Sequence, residues 1–150
     1  IKVEGLGATE STDFEKLNIN IYEVCPLAIE DFVGQFDAST AWLGATSHNV
    51  SEGTAPNTLQ IEGFWEDSDT APNFVISYDA DNTITFAEQP TGYYYNANGV
   101  MGFVFARMSN VPANISKIDP CTNRMSIWVN YYIQGTNSGF GDNLEVFTKQ

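Results

Sequence analysis

Basic residues are scarce in this chain: six Lys and Arg stand against 19 Asp and Glu in 150 residues, a formal charge of −13. Nucleic acids and anionic membrane surfaces are gripped by Lys and Arg that neutralise phosphates, so the expected partners include neither. Cations, neutral ligands such as glycans, or plain solubility suit an acidic surface better. Histidine is nearly absent. His48 stands in the polar stretch Thr46-Ser47-His48-Asn49, which reads as an exposed loop. A Ser–His–Asp system would have to pass through it, and no Gly-x-Ser-x-Gly elbow accompanies it, which argues against a serine or cysteine hydrolase. Two cysteines and one distant histidine are too few clustered ligands for zinc.

Long apolar runs are missing too. None approaches the roughly 20 residues of a membrane-spanning helix. The opening Ile1-Lys2-Val3-Glu4 lacks the basic and apolar regions of a secretory leader, so a mature or trimmed chain and a cytosolic one both fit. No segment has the pattern of a long amphipathic helix.

What the chain does have is alternation. Leu17, Ile19 and Ile21 alternate with Asn18, Asn20 and Tyr22; Ile127, Val129 and Tyr131 alternate with Ser126, Trp128 and Asn130. A period of two sends one set of side chains to a core and the other to water, the pattern of a half-buried strand. Strands are expected at 17–24, 32–38, 58–65, 73–78, 83–87, 100–108, 125–134 and 144–148, with one helical turn at 26–31. Ser77 to Ile84 encloses an Asp/Asn cluster between two β-rich runs, a hairpin signal because Asp and Asn tolerate positive φ and bond their own backbone. Longer loops are expected at 44–56, 89–99 and 110–123. Residues 1–16 read as a connection or edge strand, and 17–150 as one all-β domain: a small antiparallel barrel, or alternatively a two-sheet sandwich.

Few residues carry chemistry. Cys25 and Cys121 both adjoin proline, which places them at strand ends or turns. Either they form a disulfide or they are two buried thiols, and the disulfide is the expectation. Glu62, Glu66, Asp67, Glu88 and Glu145 are conceivable acids for glycoside hydrolysis, but no spacing among them selects a pair. The runs Glu66-Asp67-Ser68-Asp69 and Asp79-Ala80-Asp81-Asn82 offer oxygens to calcium, with Asp79, Asp81 and Asn82 as its ligands. Neither run has the full EF-hand loop, and turn chemistry explains both. Asn49-Val50-Ser51 and Asn114-Ile115-Ser116 fit the glycosylation pattern, a short one that arises often by chance. Aromatic residues are the richer resource. Tyr93, Tyr94 and Tyr95 are consecutive and cannot all enter a core, and Trp128 is out of phase with Ile127 and Val129. With Trp65 they form the candidate platform for a sugar or small apolar ligand.

Val24-Cys25-Pro26-Leu27 followed by Asp31-Phe32-Val33-Gly34-Gln35-Phe36, and the ending Phe140 to Lys149, resemble the C-terminal β domains of secreted lipoproteins of Gram-negative gut anaerobes. The resemblance covers the two ends of the domain. It implies a lipocalin-like barrel, with an immunoglobulin-like sandwich as the alternative, exported to the periplasm or cell surface. It implies a lipid anchor upstream of Ile1 and carries over no catalytic residue. The expected function is a non-enzymatic extracytoplasmic domain that binds carbohydrate or a small ligand. Its alternatives are a spacer or protein-interaction domain and, behind both, a glycoside hydrolase.

Overall fold

A computed structural model of the chain describes residues 25–40, 44–65 and 72–150. The expected connection at 1–16, the strand at 17–24 and the acidic run at 66–69 lie outside the described residues. Among the described residues the fold is all-β. A 3-10 turn, Ile29–Phe32, leads into β1 (Gly34–Thr40), β2 (Gly44–Glu52), β3 (Thr58–Ile61), β4 (Phe74–Tyr78) and β5 (Ile84–Thr85). Then come β6 (Gln89–Ala97), β7 (Val100–Met108), β8 (Lys117–Asp119), β9 (Arg124–Ile133) and β10 (Gly139–Lys149). All pairing is antiparallel, in the order β5-β4-β3-β2-β1-β10-β9-β7-β6, with β8 beside the first part of β9.

The sheet curls until its ends approach. Thr83 bridges Lys117, the Ile84 amide donates to the Ser116 carbonyl at 2.9 Å, and the Ile118 amide donates to the Asn82 carbonyl at 2.9 Å. These bonds join the β5 edge to β8, so β1–β5 and β8–β10 form an antiparallel barrel. The β6–β7 hairpin is inserted between β5 and β8 and pairs with the second part of β9. Where β5 stops, a side chain takes over. The Gln89 carboxamide accepts from the Val75 amide and donates to the Val75 carbonyl, both at 2.9 Å, which satisfies the β4 edge as a strand residue would.

The inward residues fill the barrel. Phe36, Val50, Leu59, Ile61, Phe74, Ile76, Ile84, Met125, Ile127, Val129 and Phe147 are all buried. Phe64 stacks on Phe74 at 4.2 Å and on Phe147 at 5.6 Å between ring centroids. Strand β9 shows the alternation best: every odd position from Met125 to Ile133 is buried and every even one is not.

Three expected loops contain strands: β2 lies in 44–56, β6 makes up most of 89–99, and β8 lies in 110–123. The reason is partnership. Strand β2 is polar along most of its length, yet it pairs with β1 over seven residues and with β3 over three. Its ladder, not its own hydrophobicity, makes it a strand. Strand β6 contains Pro90 and Gly92 and a register shift between Pro90 and Tyr94, which broke its alternation. His48 is thereby corrected from an exposed loop residue to a buried one on β2. Its Nδ1–H donates to the Glu62 carbonyl at 3.0 Å, so Nε2 is free to accept from the Thr46 hydroxyl at 2.7 Å.

The expected hairpin at 77–84 is present. Asp79 Oδ1 accepts from the amides of Asp81 and Thr83, each at 2.9 Å, while Asn82 takes a positive φ of 60°. Cys25 and Cys121 are bridged, with Cα atoms 5.2 Å apart and a separation of 96 positions in sequence. The bridge ties the segment before the 3-10 turn to the β8–β9 turn, whose Asp119 accepts from the Cys121 amide and the Thr122 hydroxyl. Closing so long a loop restricts the unfolded chain most of all. Replacing both cysteines by serine is therefore expected to lower stability by about 2–5 kcal/mol. Urea melts check this, and an unchanged midpoint would show that the bridge contributes nothing.

Candidate binding site

Two polar clusters stand out, one inside the barrel and one on its outer face. Inside, Glu145 on β10 is fully buried and accepts from the Tyr131 hydroxyl on β9 at 3.0 Å. Trp65 packs edge-on against Tyr131, with centroids 4.6 Å apart at 81°. A buried carboxylate is tolerated only when hydrogen-bonded. Burial, and then the charge of Glu145, push the Tyr131 phenol well above the ordinary tyrosine range, against a smaller opposing effect of Trp65. Glu145 was a conceivable hydrolytic acid; it is walled in by core residues.

The outer cluster is built by the same strands. Antiparallel register sets Phe105 beside Tyr132 and Arg107 beside Asn130 across β7 and β9, and Asp142 beside Asn130 across β9 and β10. The Arg107 guanidinium lies over the Tyr132 ring, 4.6 Å from its centroid. Its Nε–H donates to Asn130 Oδ1 at 2.9 Å, and the Asn130 amide donates to Asp142 Oδ1 at 2.7 Å. Asp142 Oδ2 accepts from the Ser109 hydroxyl at 2.8 Å and from the Asn114 amide at 3.3 Å. Partial burial and then the neighbouring Glu88 raise the pKa of the Tyr132 hydroxyl, while Arg107 opposes the rise.

Beside this chain of contacts lies an open groove of about 480 Å³, lined by Arg107, Asn130, Tyr132 and the rim formed by Thr136, Asn137, Ser138, Gly139 and Gly141. The rim is held by its own turn: the Ser138 amide donates to Thr136 Oγ1 at 3.0 Å, and the Ile133 amide to the Ser138 carbonyl at 3.0 Å. Gly141, at φ 73°, sits at the register shift that starts β10. That conformation disfavours any side chain with a Cβ.

The candidate aromatics divide between the two faces. Tyr94 is exposed on the outside and meets Phe103 edge-on at 5.0 Å. Tyr93 stacks at 5.9 Å on Trp65, which is a core residue, and Tyr95 packs against Phe140 at 5.2 Å. The three tyrosines therefore do not form one platform. Trp128 is half-buried on the outer face, opposite Leu144 and one outward position along β9 from Asn130. Arg107, Asn130, Tyr132 and Asp142 were missed because outward strand positions look like an ordinary solvated face. One signal was present: Arg107 ends a run of 18 uncharged residues, 89–106, in which Phe103 and Phe105 alternate toward it. At the other expected site, Asp79 holds turn amides, and the described residues contain no group of three or more His, Cys, Asp or Glu placed for a metal.

No protein-family model matches the chain, and no curated protein matches it significantly.

The buried phenol makes a pH prediction. In the unfolded chain tyrosine ionises near pH 10, whereas the folded Tyr131 resists ionisation. Its contribution is therefore intact below about pH 10 and is lost as pH rises further, by up to about 1.4 kcal/mol per unit. Urea midpoints are expected to fall between pH 9 and 11, and to fall less in Tyr131→Phe. Equal slopes in both proteins would show that other groups cause the loss.

Proposed function

We propose that this chain is a non-enzymatic, extracytoplasmic β domain that binds carbohydrate in the groove on its outer face. The observation that carries the reading is the groove's composition: a stacked Arg–Tyr pair, a fixed Asn and a hydroxyl-rich rim on rigid strands. Sugars present apolar C–H faces to aromatic rings and hydroxyls to such donors and acceptors, and the groove has the size of a small-ligand site. None of its lining residues is a carboxylate, whereas glycoside hydrolysis needs two across the scissile bond. The disulfide supports an oxidising compartment, and among the described residues no helix is long and apolar enough to cross a membrane. The periplasm or outer-membrane surface, with a lipid anchor upstream of Ile1, is the corresponding location. Because Asp79 already holds its turn, calcium at Asp79, Asp81 and Asn82 has no part in this reading.

A second reading, a protein-interaction domain, draws on the β6–β7 hairpin. Its outer face exposes Tyr94 (47%), Met101 (60%) and Phe103 (53%), and no residue from 89 to 106 is charged. Clustered exposed apolar side chains mark contact surfaces.

Affinity electrophoresis against a panel of soluble polysaccharides, with calcium or with chelator, separates the two. Retardation by at least one polymer is expected, insensitive to chelation and abolished in Tyr132→Ala while the thermal melt is retained. Retardation that survives in Tyr132→Ala would move the site elsewhere. No retardation by any polymer would leave the interaction reading.

A further inference from the structure

The outer groove contains a positioned cation. The chain has only six basic residues, and one of them, Arg107, is held in place by a relay of neighbours. Tyr132 supports the plane of its guanidinium, Asn130 fixes its Nε, and Asp142 fixes Asn130. Ser109 and Asn114 fix Asp142 in turn, and Asn114 also donates to the Ser109 hydroxyl at 2.9 Å. Yet among the described residues no carboxylate comes within ion-pair distance of that guanidinium. Of the acids of this face, Asp142 is committed to three other side chains, and Glu88 acts on the Tyr132 hydroxyl. A guanidinium ordered before binding loses little further freedom on binding, and its remaining N–H groups suit a planar carboxylate in a bidentate pair.

We propose that the groove binds sugars that carry a carboxylate, that is, uronates, with the carboxylate on Arg107 and the ring against Tyr132 and the Thr136–Gly139 rim. The inference rests on the glycan reading and names its ligand class. The chain's overall charge of −13 does not oppose it at close range, because at physiological salt charges beyond about 8 Å are largely screened. A short oligosaccharide also presents few charges to repel. What decides binding is direct contact: the groove lining contains one cation and no acid, and Asp142 and Glu88 stand beside the lining residues Asn130 and Tyr132 without lining the groove themselves.

The test is calorimetric titration of the whole chain with tri- to hexasaccharides of galacturonate, glucuronate and mannuronate, each beside its methyl ester. The ester keeps the sugar and removes the charge. At least one acid is expected to bind about tenfold or more tightly than its ester, since a charge-assisted bidentate pair is stronger than the neutral contact the ester can make. Arg107→Gln is expected to abolish that preference, and Arg107→Lys to retain part of it, with unchanged melts because the side chain is exposed. Equal binding of acid and ester, or a preference that survives in Arg107→Gln, overturns the inference and leaves the glycan reading standing. Binding of neutral glycans alone does the same. Failure of every acidic and neutral glycan removes both.

Discussion

The alternation along β9 is the constraint on which both the core and the groove depend. Its odd residues, Met125, Ile127, Val129, Tyr131 and Ile133, are buried, and its even residues Trp128, Asn130 and Tyr132 are turned to the outer face. The strand is hydrogen-bonded on both edges, by β10 along nearly all its length and by β8 and then β7 on the other side. A slip of one residue would expose the five core residues and bury Asn130 and Tyr132. Core packing thus enforces the register that sets Arg107 beside Asn130 and Asn130 beside Asp142. The site borrows its precision from hydrophobic burial a few ångströms beneath it.

Closure of the barrel depends on small parts. Strand β5 is two residues long, yet its edge is satisfied by backbone bonds to β8 and, further along β4, by the Gln89 carboxamide. These contacts leave few unpaired backbone groups on β4 and β5, which protects an edge that would otherwise invite strand addition. They also release the β6–β7 hairpin from closing the barrel. Its base pairs with β9 as far as Val104, and its tip, with Tyr94, Met101 and Phe103, extends past that pairing. The disulfide reinforces the far side of the barrel by anchoring the 3-10 turn segment to the β8–β9 turn.

How far the sequence could be read follows from which interactions are local. Strands with their own alternation, β4, β7 and β9, were located to within a residue or so, and the Asp79–Asn82 turn was recognised because its bonds lie within a few residues. Strand β2 was not, since Thr46, His48 and Asn49 are strand residues only through β1 and β3. The exposed loop assigned to His48 failed for the same reason: its acceptor, the Glu62 carbonyl, is 14 residues away. The disulfide was legible as an expectation, the barrel as one of two architectures. The aromatic platform was read from side chains one by one, and a register shift between Pro90 and Tyr94 decided which of them share a face. Arg107, Asn130 and Asp142 come from three strands, so no linear pattern could unite them.

The two polar clusters illustrate what burial does to the same chemical groups. Glu145 and Tyr131 face each other inside, where a neutral phenol shares a proton-donating bond with a carboxylate that solvent does not reach. Such a pair specifies how β9 and β10 meet, because leaving either partner without the other would cost about 1–3 kcal/mol or more. Asp142 on β10 and Arg107 on β7 flank the same strand, β9, on the wet side. There the carboxylate accepts from three side-chain donors, and its effect on Arg107 is transmitted through Asn130 as orientation, with no direct pair between them among the described residues. A direct Asp–Arg pair would have consumed the cation. An asparagine placed between them fixes the guanidinium and leaves its charge available, which on a surface with so few basic residues is the property that distinguishes this groove from the solvated strand faces around it.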